Sequence, residues 1–255
     1  MSSIDWCLLL AAAFSAGFVD AIVGGGGLIQ LPALMLSFPN KELPEIFGTN
    51  KFAGFTGTLV ATFRYLKNTT IISAAIVPAI LTAIPSAFAG AYAVKGIDKE
   101  ILKPIILALF SIVAVYTFIK KDFGLRPPKT ISKKRKIILS LLTGLIIGFY
   151  DGFFGPGTGS FLMFIYIVLF GFEFVQASAH AKLLNCFCNA SALLLFIWKN
   201  DVNYMIALPI AAFNISGSLL GSRLAIKKGS GFIRVFFILA VSGFIFKMAY
   251  DLIVS

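Results

Sequence analysis

Ten apolar stretches follow one another along the chain: 4–23, 26–38, 46–66, 71–94, 101–119, 137–154, 157–172, 174–198, 202–226 and 232–254. Short polar connectors separate many of them, among them PNKELPE at 39–45, LKNTT at 66–70, KNDVN at 199–203 and KKGSG at 227–231. A helix needs about 20 apolar residues to cross a hydrocarbon core of ~30 Å, so most stretches predict transmembrane helices. None alternates apolar and polar residues as a membrane barrel does. An open sheet cannot satisfy its backbone in lipid. The stretches 26–38 and 157–172 are short and predict half-spans or re-entrant hairpins. The expected fold is an all-α polytopic membrane protein with 8–10 membrane segments, including broken or re-entrant helices.

A shift of 131 positions aligns the two halves without a gap. Gly17, Phe18 and Asp20 fall on Gly148, Phe149 and Asp151, Gly24 and Gly26 on Gly155 and Gly157, and Lys51 on Lys182. Pro78, Gly90 and Ser111 fall on Pro209, Gly221 and Ser242. Apolar matches could arise by chance in so apolar a chain; matched Asp and Lys residues inside apolar segments would not readily do so. The pattern predicts a duplication: a first repeat over 1–119, a linker over 120–136 and a second repeat over 137–255. Internal repeats are the usual build of secondary transporters.

Composition adds two exclusions. The 255 residues are 58% hydrophobic and 13% charged, with 27 Phe, against roughly 45–50% and ~25% in an average soluble domain. One soluble core could not bury that much apolar surface, and disordered chains are polar. The net charge is +11, which in a soluble protein would suggest nucleic acid. Here the basic residues cluster in the connector 120–136, beside apolar segments and without aromatic stacking platforms, so no nucleic-acid partner is expected. Positive connectors mark the cytoplasmic side of a membrane protein, and they attract anionic lipid heads. With five elements per half and the N-terminus outside, the connectors 64–70, 120–136 and 223–234 are all cytoplasmic, and the repeats are inverted. The first segment has no basic region before it and is expected to be a retained span rather than a cleaved signal.

Candidate chemistry gathers at two helix-breaking runs, Asp20-Ala-Ile-Val-Gly24-Gly25-Gly26-Gly27 and Asp151-Gly-Phe-Phe-Gly155-Pro156-Gly157-Thr158-Gly159. A glycine costs about 1 kcal/mol relative to Ala inside a helix, and irregular backbone at membrane depth is tolerated where it lines a cavity or is buried in protein. Helices restarting after each run would aim free N–H groups and a positive dipole end at one place, which suits an anion. The competing interpretation is close packing through small residues. Asp20, Asp151, Lys51 and Lys182 are the intramembrane charges; each costs about 2.5–3.5 kcal/mol at the bilayer centre unless partnered. Lys182 lies deeper in its segment than Lys51 and is expected to be the stronger anion partner. His180, the only histidine, replaces Thr49 in the duplicated motif, and its ordinary pKa of about 6.5 suits proton coupling. Asn50, Asn185, Asn189, Asn214 and Gln30 are further lining candidates. Cys7, Cys186 and Cys188 suggest neither disulfides nor a metal centre. No nucleophilic triad, zinc motif or nucleotide loop is present, so no enzyme activity, cofactor or metal is expected.

These motifs, GFVDAIVGGGGLIQLPALM, GTNKFAGFTGTLVATFRYLKN, GFYDGFFGPGTGSF and AHAKLLN, resemble the sulfite exporter TauE/SafE family, also called the toluene-sulfonate uptake permease family. The resemblance covers nearly the whole chain. It implies an inner-membrane transporter of small sulfur-containing anions such as sulfite, sulfoacetate or other organosulfonates, with coupling to protons. It places the family motifs on Gly24 to Gly27, Asn50, Lys51, Gly155 to Gly159 (with Thr158), His180 and Lys182. The expected partners are a small anion and the lipid bilayer; no oligomer is predicted. Two other function classes stay open on the sequence: a cation transporter using Asp20 and Asp151, and a non-transporting membrane scaffold or redox component.

Overall fold

A computed structural model of the chain describes residues 3–93, 119, 124–125 and 131–254. They form helices α1 (Ser3–Val23), α2 (Gly27–Ser37), α3 (Leu43–Asn68), α4 (Ser73–Ala93), α5 (Lys133–Phe153), α6 (Thr158–Val168), α7 (Phe174–Trp198) and α8 (Tyr204–Val254). No strand occurs among the described residues. The expected segment 101–119, apart from its last residue, and most of the linker 120–136 lie outside them.

Five of the described helices are long and apolar enough to cross a membrane: α1, α4, α5, α7 and α8. At 1.5 Å per residue, the 51 residues of α8 would extend about 76 Å, far more than one hydrocarbon core. The helix breaks at Gly229 (φ 74, ψ −167), inside the connector 227–231, so its arms match the two expected segments 202–226 and 232–254. Helices α2 and α6 have 11 residues each, about 16 Å, which makes them half-spans. Two expected boundaries move. Helix α3 begins at Leu43, inside the stretch read as a connector, because Pro44 at its first turn needs no N–H partner. Helix α5 begins at Lys133 because the Ser132 hydroxyl accepts from the Arg135 N–H and caps it.

Many large apolar side chains point outward, including Ile4, Leu8, Leu36, Leu81, Leu194, Met205 and Phe246. Lipid is the medium that accepts such a surface. Of the candidate spans α7 is the most enclosed, with 67% of its apolar stretch buried against 17–44% in the others. It forms the centre around which the two halves interlock.

The two most extensive helix pairings, α4 with α5 and the first arm of α8 with α1, each join one half to the other. Glycines let the backbones approach: a Cβ on Gly144, Gly148 or Gly152 would collide with Ala79, Ala83 or Ala87 of α4. In the same way Gly17 abuts Asn214, and Gly217 abuts Phe14. The contacts Gly148–Ala83 and Gly17–Asn214 are one contact displaced by 131 residues in opposite directions. Hydroxyls add interhelical hydrogen bonds, Thr82 to the Leu141 carbonyl (2.9 Å) and Ser218 to that of Gly17 (3.2 Å).

Helices α3 and α7 occupy equivalent positions in the two halves and run antiparallel. Near the start of α3, Thr49 accepts from the Asn203 N–H just beyond α7 (3.0 Å). Just past its end, the Ile72 N–H donates to His180 Nε2 near the start of α7 (3.0 Å). Charges sort with these ends. One end gathers the start of α4, the start of α5 and the Gly229 break, linked through Ser140 to Ala75 and Ser230 to Val175. It carries Arg64, Lys67, Lys133, Lys134, Arg135, Lys136, Lys227 and Lys228, with Glu173. The other end carries Asp5, Glu42, Glu45 and Asp201 with Lys41 and Lys199.

Candidate functional site

Both glycine runs interrupt their helices. Gly24 (φ 72), Gly25 (φ 116), Gly155 (φ 88) and Gly157 (φ 86) hold left-handed backbone conformations that glycine adopts without a Cβ penalty. The two breaks meet. A Cβ on Gly24 would lie 2.3 Å from the Gly159 carbonyl carbon, and one on Gly27 would lie 3.3 Å from Pro156 Cα. The Ser160 hydroxyl fastens the crossing by donating to the carbonyls of Val23 and Gly24. Two half-helices therefore start, from opposite halves, at one crossing point.

A cavity opens there, with about 500 Å³ of empty space including its mouth. Its wall contains Asp20, Gly25, Gly26, Gly27, Asn50, Lys51, Asp151, Gly155, Gly157, Thr158, Gly159 and Asn185, all singled out in the sequence. Gln30, Gly54, Thr58, Pro156, Asn189 and Asn214 complete it. Among the described residues no aliphatic or aromatic side chain other than the proline ring contributes. In a chain this apolar, such a lining marks a water-compatible site rather than a packing defect.

Two ion pairs stand at the cavity, both made between halves. Lys51 Nζ donates to Asp151 Oδ2 (2.7 Å), to the Asp151 carbonyl (2.7 Å) and to Asn189 Oδ1 (2.9 Å). All three ammonium donors are thereby used. Lys182 Nζ donates to Asp20 Oδ2 (2.9 Å), which also accepts from the Thr58 hydroxyl (3.2 Å). The residues Lys51, Asp151 and Asn189 become Lys182, Asp20 and Thr58 under the 131-residue exchange. The two ion pairs are one arrangement built twice; the third member differs, Asn189 accepting from its lysine and Thr58 donating to its carboxylate. Their four formal charges cancel. A buried charge without a partner costs several kcal/mol, so this pairing is what allows these groups inside an apolar chain.

Amides form the remaining wall. Asn214 Nδ2 donates to Gln30 Oε1 (2.7 Å), and Asn189 Nδ2 to Asn185 Oδ1 (3.3 Å).

Three sequence candidates sit elsewhere. Gly24 is consumed by the backbone crossing. Lys182 is fully buried beneath the wall, and Lys51 rather than Lys182 reaches the lining. Depth along a helix does not say which face a lysine takes. His180 forms no ion pair. Its Nδ1 meets the Gln176 carbonyl (2.8 Å), its Nε2 accepts from Ile72, and its ring packs on Phe172 and Tyr166 at centroid distances of 4.6 and 5.3 Å. It ties two elements together at one end of the molecule, as Thr49 does at the other. Gly54 and Thr58 were missed; the 131 shift would have found them, since they match Asn185 and Asn189.

Asp20 and Asp151 each face a lysine, and no cluster of three or more His, Cys, Asp or Glu that could hold a metal occurs among the described residues. Cys7 is exposed while Cys186 and Cys188 are buried in α7, all as free thiols.

Comparison with known proteins extends over most of the chain. The family model described as Sulfite exporter TauE/SafE matches residues 9–248. A probable membrane transporter protein of Sinorhizobium sp, ORF9, is 34% identical over 228 residues, covering 89% of this chain and 85% of the relative. The probable membrane transporter protein YfcA of Escherichia coli strain K12 is 31% identical over 247 residues, covering 96% and 89%. The archaeal probable transporter MJ0441 of Methanocaldococcus jannaschii is 26% identical over 238 residues, covering 88% and 87%. No solved structure gives a significant match.

Proposed function

Because the chain belongs to the sulfite exporter TauE/SafE family, we propose that it is a secondary transporter carrying a small sulfur-containing anion, sulfite or an organosulfonate such as sulfoacetate, across the inner membrane. The observation that supports this reading is the cavity where the two glycine breaks cross. It offers helix N-termini, amide side chains and Lys51, and no aliphatic or aromatic side chain beyond the Pro156 ring. Helix N-termini favour anions through unpaired N–H groups and a partial positive charge.

The paired lysines bear on coupling. Lys51 has no donor to spare while Asp151 holds it. An anion that draws on Lys51 therefore requires Asp151 to release it, and a proton on Asp151 would free the ammonium while keeping the site's charge balanced. This is the basis for coupling anion movement to a proton. Alternating access would rock the interlocked halves about the crossing point, as expected for inverted repeats. The basic end faces the cytoplasm by the positive-inside rule.

The direct test is flux. Purified protein in proteoliposomes should exchange [35S]sulfite for internal unlabelled sulfite, and a pH gradient should drive net movement. Absence of sulfite, sulfoacetate and sulfonate exchange at every pH would overturn the anion reading.

A further inference from the structure

The two halves share one helix break but use its N–H groups differently. In the first half the Asp20 carboxylate accepts from Gly25 N–H (3.2 Å) and Gly26 N–H (3.4 Å) through Oδ1. The positive end of α2 thus already holds an anion, and it is the protein's own. In the second half the residue matching Gly25 is Pro156, which has no N–H to give. Asp151 turns instead to Lys51 through Oδ2. Among the described residues the Gly157 and Gly159 N–H groups meet no acceptor, and both residues line the cavity. Thr158 does not compete for a ligand there, because its hydroxyl donates to the Gly155 carbonyl (2.7 Å).

A side chain points to the same place. Asn185 is 4% exposed and lines the cavity. Its Oδ1 accepts from Asn189, while its Nδ2 donates to no group among the described residues. The matching first-half position is Gly54, which has no side chain. The helix N-terminus left without a protein carboxylate therefore belongs to the second half.

The geometry points to one anion seat per chain, on the N-terminus of α6, made by the Gly157 and Gly159 N–H groups with the Asn185 carboxamide, while Asp20 fills the mirror seat on α2. This rests on the anion-transport reading and adds where and how many. Asp20 shows what such a break accepts: a single anionic oxygen shared by adjacent N–H groups, with a second oxygen turned to a lysine. Sulfite, a sulfonate head or a carboxylate presents such oxygens. Cationic groups flank the seat. Lys51 Nζ lies 2.9 Å from where a Gly155 Cβ would stand, and Lys182 Nζ lies 3.5 Å from the corresponding point on Gly159. Apart from the Pro156 ring the wall presents polar side chains and glycine backbone, which suits a compact, hydrophilic anion.

Equilibrium binding of [35S]sulfite to the full-length protein in nanodiscs tests this. Wild type should saturate at one sulfite per chain, displaced by sulfoacetate and not by toluenesulfonate. Asn185→Asp preserves the acceptor for Asn189 and places negative charge at the seat; it should weaken binding at least tenfold. Asn185→Ala removes the donor without adding charge and should weaken it three- to tenfold, which keeps the contrast readable if one variant fails to fold. Gly243→Ala, away from the cavity, should change affinity less than twofold, since its Cβ would meet nothing within 4 Å. Two sulfites per chain, or wild-type affinity in both Asn185 variants, would overturn the seat and leave the transport reading intact. No binding of any of these anions to wild type would overturn both.

Discussion

Replacing Lys51 by Met should destabilise the protein far more than replacing Lys182, although both lysines are buried and both face an Asp. Lys51→Met strands Asp151, which is 1% exposed and whose carboxylate has Lys51 as its hydrogen-bond donor. It also leaves the Asn189 and Asp151 carbonyl oxygens without that donor. Breaking one partner of a buried pair costs about 3–5 kcal/mol. At about 2–4 °C per kcal/mol for a chain of this size, the melting midpoint should fall by roughly 6–20 °C. In Lys182→Met, Asp20 keeps the Gly25 and Gly26 N–H groups and the Thr58 hydroxyl, and its side chain is 16% exposed. The loss is then nearer one charged hydrogen bond, about 1.5–3 kcal/mol. The assay is thermal unfolding of detergent-purified variants followed by size exclusion. Adding Asp151→Asn to Lys51→Met removes the stranded charge and should restore most of the midpoint, without restoring transport. Equal losses in the two single variants, or no rescue by Asp151→Asn, would refute the reasoning from partners.

Three further outcomes follow from the geometry. Gly24→Ala should fail to yield folded protein, because its Cβ would sit 2.3 Å from the Gly159 backbone; a monodisperse, wild-type-like elution profile contradicts the crossing. A cysteine at Lys228, in a background without Cys7, Cys186 and Cys188, should be labelled by an impermeant maleimide only in inside-out vesicles, and one at Lys41 only in intact cells, with the opposite pattern reversing the assigned orientation. His180→Gln should keep transport within about threefold of wild type and lower thermal stability by about 1–3 kcal/mol through lost ring packing and an altered hydrogen bond; a tenfold loss of transport at unchanged stability would return His180 to the transport cycle.

Much of the fold was legible because the lipid solvent simplifies the code. Hydropathy located nearly every described helix, and the short stretches at 26–38 and 157–172 emerged as half-spans. The glycine runs and the matched Asp and Lys residues pointed to the cavity because breaks and charges are costly in lipid and therefore rare. What could not be read was direction around each helix axis. Lys51 and Lys182 share a motif, yet one reaches the cavity wall and the other lies beneath it. His180 has the chemistry of a proton carrier and the position of a tie between elements. The matched positions said that Asp20 and Lys51 belong together in kind; they could not say that each Asp is held by the lysine of the opposite half.

That exchange of partners has a consequence for biogenesis. Asp20 precedes Lys182 by 162 residues, and Lys51 precedes Asp151 by 100. At a synthesis rate of about 5–20 residues per second, Asp20 waits roughly 8–30 seconds for its counter-charge, and Lys51 roughly 5–20 seconds. During that interval each is a lone ionisable group in a nascent membrane segment, at a penalty of about 2.5–3.5 kcal/mol if it lies at mid-bilayer. The first half therefore leaves the ribosome as an unfinished object that the insertion machinery must shelter. Supplied as two separate polypeptides, the halves should each be degraded when made alone and become stable when made together.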